Sequence, residues 1–551
     1  MIVYLTSINN QNYMIQKKNF NLNLFILAFT FLFSSSLFAQ DILKSSEKYK
    51  AALATVSLGY VDKVDEEKLV EYAIIGMLKE LDPHSVYISK EELKEMNEPL
   101  VGNFDGVGIQ FQILNDTIMV IAAIPGGPSE KLGIQSGDKI VKIEKETVAG
   151  VGIKNSDVMS KLRGNKGTKV TVSILRRDAE KLIEYNITRD KIPLYSLDAS
   201  YMAAPEIGYI KLNRFAQNTM EEFNTALSAL QKNGMQHLVL DLRGNGGGYL
   251  HVAIALADEF LNDKKLIVYT EGLRQPKQES YSTSKGHFQK GKLVILIDEA
   301  SASASEIVSG AVQDWDRGLI IGRRSFGKGL VQKPFPLPDG SAMRLTTARY
   351  YTPTGRSIQK PYENGVDEYN KELFKRREHG EFFYLDSIKM DDSLKFFTPQ
   401  GRVVYGGGGI MPDIFIPVDT TFATDYYIDL FRKNVLNQFV LNYIDKNRKS
   451  VTAKYPSLKE FKTQFKVDEN LMNEFLKFAE QEGVPMVEKE FALSESTIKE
   501  QIKALIARNF WQSSAYYEIM NESNETLIKA IKVIKDDSFD KMKLNYLGLS
   551  K

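Results

Sequence analysis

The sequence predicts an α/β protein that carries a β-rich insertion and has helical segments at both ends. Three observations predict it. The apolar runs 237–243 and 292–298 read as buried strands, and each is followed by a helical pattern, an order that favours parallel pairing. Between 101 and 190, short strand-like runs alternate with glycine turns. The flanks, 41–100 and 421–551, place apolar residues at helical spacing.

The chain has 551 residues, more than one core holds, which implies roughly two to four domains. The boundaries read as 1–39, 40–100, 101–190, 191–420 and 421–551. A net charge of +1 gives no broad field for nucleic acid or an anionic membrane. The absence of cysteine removes disulfides, thiolate metal sites and cysteine nucleophiles. No metal-binding cluster stands out, and neither metal nor cofactor is expected.

At the N-terminus, Lys17 and Lys18 precede an apolar run over 24–33, three serines and Leu37-Phe38-Ala39-Gln40. This layout reads as a secretory signal peptide cut after Ala39. The run is shorter than the ~20 residues of a membrane span; a retained membrane anchor is the alternative. Met14 is an alternative start. Residues 65–78 then form an amphipathic helix that ends at Leu81-Asp82-Pro83-His84-Ser85, because proline disfavours helix before itself. In the insertion, strands are expected at 108–114, 119–123, 139–143 and 169–176, with a helix at 156–162. Asp339-Gly340 reads as a hairpin turn into a strand over 343–351. In the last region Leu430, Phe431, Val435, Phe439 and Tyr443 show helical spacing, for packing within the chain or a homodimer, with intrachain packing slightly favoured.

The chemistry concentrates in three segments. Glu299-Ala300-Ser301-Ala302-Ser303-Ala304-Ser305-Glu306 stands where a strand hands over to a helix, whose free N–H groups and dipole stabilise negative charge. Helix capping by a serine would explain this segment alone. Lys328 stands between two glycines in Gly327-Lys328-Gly329-Leu330-Val331-Gln332. A lysine acts as a base only when neutral, and bringing its pKa from about 10.4 to about 7 takes roughly 4.6 kcal/mol, which burial supplies. Lys328 is therefore expected to be desolvated, with Gln332 orienting its amine. In a straight strand their Cα atoms would stand about 13 Å apart, so contact requires a turned segment. The third segment, Asp241-Leu242-Arg243-Gly244-Asn245-Gly246-Gly247-Gly248-Tyr249, fails as a nucleotide loop because Tyr249 stands where a glycine is needed. It reads better as a bare turn that aims N–H groups at an oxyanion.

Together these segments, with Tyr351-Thr352-Pro353-Thr354-Gly355-Arg356 and Gly407-Gly408-Gly409-Ile410-Met411-Pro412-Asp413, resemble the carboxyl-terminal processing (tail-specific) proteases over about 50–420. The resemblance implies Ser303 as nucleophile, Lys328 as base and Gln332 as its orienting partner. It also implies an oxyanion hole from Ala304 and Gly248, with Gly247 as a further donor, on a crotonase/Clp-protease-like domain. It makes 101–190 a PDZ domain, with Gly106, Val107, Gly108 and Ile109 as the loop and strand that hold a peptide C-terminus. Arg163 is assigned a coupling role between PDZ position and protease.

The implied activity is ATP-independent endoproteolysis of exported proteins with flexible, apolar C-termini, in the periplasm or cell envelope, with an adaptor protein as a further partner. The alternative is a PDZ-type peptide-binding protein with an inactive protease domain. An acyl-CoA enzyme fits a signal-bearing chain poorly. The histidines, His84, His237, His251, His287 and His379, carry no recognisable triad motif, although triads assemble in space. Glu306 is read as favourable to the helix dipole only.

Overall fold

A computed structural model describes residues 41–544 except Asp178, Asp537 and Lys543; the signal expected at 1–39 lies outside the described residues. The chain divides into two units, 1–80 and 81–551. The first holds helices at 41–59 and Glu66–Lys79. Asp65 caps the second, its carboxylate accepting from Lys68 N at 3.1 Å, with Glu66 and Glu67 in the first turn where the dipole favours them. Among the described residues no helix is long and apolar enough to cross a membrane.

The second unit is built around a six-stranded sheet in the order Leu197–Ala204, Ile207–Leu212, His237–Asp241, Leu293–Ile297, Leu319–Gly322, Ile414–Phe415. The first pair is antiparallel and the others are parallel. The continuous Val/Ile/Leu runs follow from burial on both faces. Leu238, Leu240, Leu293 and Ile295 face a core shared with residues of the helices Thr219–Lys232, Leu250–Asp258 and Ala304–Asp314. Val239, Val294, Leu296 and Ile321 face the other way, against Leu527, Ala530 and Val533 of Glu525–Lys535. The end of the chain therefore supplies the sheet's second layer, a role that its sequence pattern alone does not assign.

The rest of the C-terminal region has its own core, in which Leu430, Val435 and Phe439 meet Phe461, Phe475, Ile498 and Ile502. Phe431 departs from the expected apolar stripe and is 73% exposed. Asn434, at φ 55°, separates the helix Asp425–Arg432 from Val435–Lys454 and resets the helical phase.

A five-stranded sheet joins Val86–Ile88, Ala342–Tyr351, Leu266–Gly272 and Gln275–Tyr281 in that order, with Leu330–Pro336 also paired to Ala342–Tyr351. The hairpin turn at Asp339-Gly340 forms as expected, with Gly340 at φ 91°. The β-rich insertion folds as a sheet of Ile109–Leu114, Thr117–Ala123, Lys139–Ile143, Lys169–Leu175 and Ile183–Thr188, with Glu146–Thr147 beside the third and the helix Asn155–Leu162 over its core. Antiparallel strands Asn103–Gly106 and Asp190–Pro193 bring the chain into it and out again.

Candidate active site

Strand Leu293–Ile297 leads through a short loop to Ser303, the residue before helix Ala304–Asp314. Ser303 has φ 56° and ψ −110°, a conformation that side chains other than glycine rarely adopt. Its two neighbouring serines are structural. Ser301 Oγ donates to Leu242 O and Ser305 Oγ to Asn245 O, each at 2.8 Å, and both residues are fully buried. Ser303 is half-buried, and its hydroxyl makes no hydrogen bond among the described residues.

Glu306 joins this segment to the lysine loop. It is fully buried. Its Oε2 accepts from Ser303 N at 2.7 Å and Lys328 N at 2.9 Å, and its Oε1 from Gly327 N and Ser325 Oγ, both at 2.6 Å. Burial pushes the carboxyl up to about 7, while these donors pull it down. The Tyr350 hydroxyl adds a second bridge, donating to Ser303 O at 3.2 Å and to Lys328 O. The sequence hinted at half of this: a glutamate three residues after a serine is a capping-box spacing. The half contributed by the lysine loop had no local signal.

Lys328 lies in the irregular segment between Leu319–Gly322 and Leu330–Pro336, as the turned path required. It is half-buried, and its amine is lowered to about 8, by burial first and the Arg344 charge second, against Glu306 and Asp82. Among the described residues its Nζ bonds to neither Ser303 nor Gln332. Gln332 instead donates through Nε2 to Thr346 Oγ1 at 3.3 Å.

The glycine loop is locked against the serine segment. Asn245 Nδ2 donates to Leu212 O at 3.0 Å, and Asn245 O accepts from Ala302 N at 3.0 Å. Asn245 Oδ1 takes the Gly247 N–H at 2.9 Å, which removes Gly247 from the expected oxyanion donors. The N–H groups of Gly248 and Ala304 make no hydrogen bond among the described residues. Gly247 has φ 102°, and a Cβ there would stand 2.9 Å from the Ser303 Cβ, so only glycine fits. His84 Nε2 lies 2.9 Å from the Tyr369 hydroxyl, and its ring is lowered to about 4, chiefly by burial and then by the Lys328 charge. None of the histidines forms a hydrogen bond with Ser303 among the described residues.

Comparison with known proteins gives this arrangement a context. The family model described as peptidase family S41 matches residues 206–368, and a PDZ domain model matches 106–187. The model of the activating protease CtpB N-terminal domain matches 33–92, and a family of unknown function, DUF8443, matches 426–512. The carboxy-terminal-processing protease of Bartonella bacilliformis is 39% identical over 325 residues, 58% of this chain and 74% of that protein. The chain belongs to the carboxy-terminal processing proteases. The carboxy-terminal processing protease CtpB of Bacillus subtilis is 36% identical over 321 residues, 58% of this chain and 66% of that protein. Among solved structures, a photosystem II D1 C-terminal processing protease is 30% identical, covering 56% of this chain and 83% of that one at a TM-score of 0.33.

As a member of this family, the chain is a serine-type peptidase with a PDZ domain, a mixed α/β body and a helical C-terminal region. In its PDZ domain, Ile109–Leu114 is an edge strand. The loop before it turns at Gly108, φ 75°, and the N–H groups of Val107 and Gly108 make no hydrogen bond among the described residues. Gly106 closes the entering strand, where a Cβ would meet the Phe104 ring at 3.2 Å. Arg163 ends the PDZ helix; its Nη1 pairs with Glu98 Oε2 at 2.7 Å, and its guanidinium lies over Phe104, 5.0 Å from the ring centroid.

Proposed function

We propose that this processing protease is an exported endopeptidase that holds apolar C-terminal tails in its PDZ domain and cuts with Ser303 and Lys328. The observation that carries the reading is the Glu306 cradle. One carboxylate holds the backbone of both the strained serine and the lysine, and Ser303 alone of the three serines keeps an uncommitted hydroxyl.

In the proposed reaction the neutral Lys328 amine takes the Ser303 hydroxyl proton as Oγ attacks the peptide carbonyl. The carbonyl π pair moves to oxygen, where the N–H groups of Gly248 and Ala304 and the helix N-terminus receive the charge. Collapse breaks the C–N bond, and the Lys328 ammonium returns the proton to the leaving amine. Water, deprotonated by the same amine, then attacks the acyl carbon; the C–Oγ bond breaks and the Lys328 ammonium returns the proton to Ser303 Oγ. The amine must come within hydrogen-bond reach of Ser303, a contact that apo sites often make only once substrate is bound.

The free N–H groups of Val107 and Gly108 suit a terminal carboxylate, and the open edge of Ile109–Leu114 suits an added peptide strand. The basic-apolar-small layout of 1–39 supports export to the periplasm or envelope. We also assign the catalytic region to the crotonase/Clp-like group, on the strength of its parallel strands with helices on both faces.

The test is cleavage of an unfolded protein with an apolar tail by the chain from Gln40, comparing wild type, Ser303→Ala and Lys328→Arg without ATP or metal. Arginine keeps the charge but cannot act as a base near neutral pH. Cleavage by wild type alone is expected. Cleavage by Ser303→Ala would reject the nucleophile; tail binding with no cleavage by any of the three would favour the peptide-binding alternative.

A further inference from the structure

The segment 82–85, read from sequence only as a helix stop, reaches the base side of the site. Asp82 and Ser85 are 8% and 4% exposed. Asp82 Oδ1 accepts from His84 N at 2.8 Å, Ser85 N at 3.0 Å and Thr346 Oγ1 at 3.0 Å, and Oδ2 accepts from Ser85 Oγ at 2.6 Å. Thr346 N donates to Ser85 Oγ at 3.0 Å. The strand that follows, Val86–Ile88, pairs with Ala342–Tyr351 and holds the loop in place. On the other side, Thr346 stands directly opposite Gln332 in the register of Leu330–Pro336.

We propose that Asp82, acting through Thr346, fixes the orientation of the Gln332 amide so that its oxygen faces the base. The inference rests on the Ser303–Lys328 reading and on the pairing of Gln332 with Lys328 that the family resemblance implies. It follows from counting protons. A carboxylate only accepts, so the single Thr346 hydroxyl proton goes to Asp82. Thr346 Oγ1 can then only accept from Gln332, which commits the amide nitrogen to this side and leaves the carbonyl oxygen for the other. An oxygen there receives an N–H from the neutral Lys328 amine and leaves the amine's lone pair for Ser303. With the amide reversed, its NH2 would donate to that lone pair and block the base. Asp82 and Thr346 are thus positioning residues; neither takes part in the bonds that change.

The experiment is a double-mutant cycle on the full-length protein with the same apolar-tailed substrate. Thr346→Val, close to isosteric, should lower kcat about ten- to hundredfold with KM unchanged, as misplacement of a catalytic group does. Thr346→Ser, which keeps the hydroxyl, should restore kcat. In a Gln332→Ala background, Thr346→Val should cost nothing further. Asp82→Asn, which can donate as well as accept, should behave as Thr346→Val does in both backgrounds when rates are compared on the plateau above the Lys328 limb, where its own charge effect on the lysine no longer counts, and it stands in if the valine variant fails to fold by thermal melting. Wild-type kcat in Thr346→Val, or a loss that persists in full in the Gln332→Ala background, would overturn the proposal. Ser303→Ala and Lys328→Arg run alongside separate its failure from failure of the Ser–Lys reading, because only the latter leaves those two variants active.

Discussion

The two sides of the active site are held in different ways. Where the Ser303 segment meets the lysine loop, four donors, one from the first and three from the second, converge on one fully buried carboxylate, and they come from segments within about one strand-helix-strand unit. On the base side, Gln332 is tied by one 3.3 Å bond to Thr346, which in turn depends on Asp82, 264 residues away in sequence. The backbones of the proposed nucleophile and base are thereby preorganised, and Asn245 holds the proposed oxyanion loop, whereas the proposed orienting arm of the base rests on a contact between distant segments. Oxyanion stabilisation demands fixed dipoles, while a base that moves its proton to a leaving group and recovers it from water tolerates adjustment.

The comparison breaks most visibly at Glu306. Glu306→Ala would leave three backbone N–H groups and the Ser325 hydroxyl without their acceptor in a buried site. The expected cost is about 3–5 kcal/mol of stability, from the penalty of unsatisfied buried donors. Cleavage should fall by more than about a hundredfold, the scale of losing a preorganised oxyanion site. Thermal melting and kcat check the two parts. Glu306→Gln sharpens the result, because its amide NH2 turns a donor toward donors. A glutamine variant with wild-type kcat and melting temperature would mean that shape alone holds the site.

The base side is probed by pH. Lys328 is lowered to about 8, so roughly a tenth of the amine is neutral at pH 7. A general base acts in its neutral form, so kcat/KM should rise as pH increases, with a limb near 8. The neighbouring charges move that limb in opposite directions. Arg344 lowers the lysine, so Arg344→Gln should shift the limb to higher pH; Asp82 raises it, so Asp82→Asn should shift the limb to lower pH, whatever happens to its amplitude. A limb that neither substitution moves would belong to another group.

How much of this was legible in the sequence follows the same division. The residues proposed to carry the chemistry lie in short motifs with their own local cues: a serine-rich strand-to-helix handover, a lysine between glycines, and a glycine loop after an apolar strand. The central strands were legible because burial on both faces leaves continuous apolar runs. Asp82, read only as part of a helix stop, was not, because its one distant partner, Thr346, lies on a strand that the sequence does not place beside it. Gly247 was misjudged because its N–H is taken by a side chain two residues back, Asn245. Phe431 fitted the apolar spacing of a single helix, but a left-handed Asn434 makes two. The helix Glu525–Lys535 declared an apolar face without saying that the face covers the catalytic sheet.

The smallest expected effect lies at Arg163, where the PDZ domain meets the helix Lys90–Val101. The side chains of the pair are 34% and 12% exposed, so breaking it should cost less than about 1 kcal/mol of stability. Its reach is longer than its strength. Leu100 O, in the same helix as Glu98, accepts from Gln217 N at 2.9 Å; two residues back, Phe215 N donates to Gly247 O at 2.9 Å and Phe215 O accepts from Tyr249 N at 2.8 Å. Phe215 and Gly248 thus form a parallel bridge. The seat of the PDZ domain is therefore linked through a short backbone path to the glycine proposed as an oxyanion donor. Arg163→Ala should leave melting nearly unchanged and alter cleavage several-fold for a substrate with a free apolar tail, while cleavage of the same substrate with a blocked tail stays at its wild-type rate. Equal changes for both substrates would make Arg163 a support for the catalytic region, and no change for either would leave the ion pair without a part in coupling.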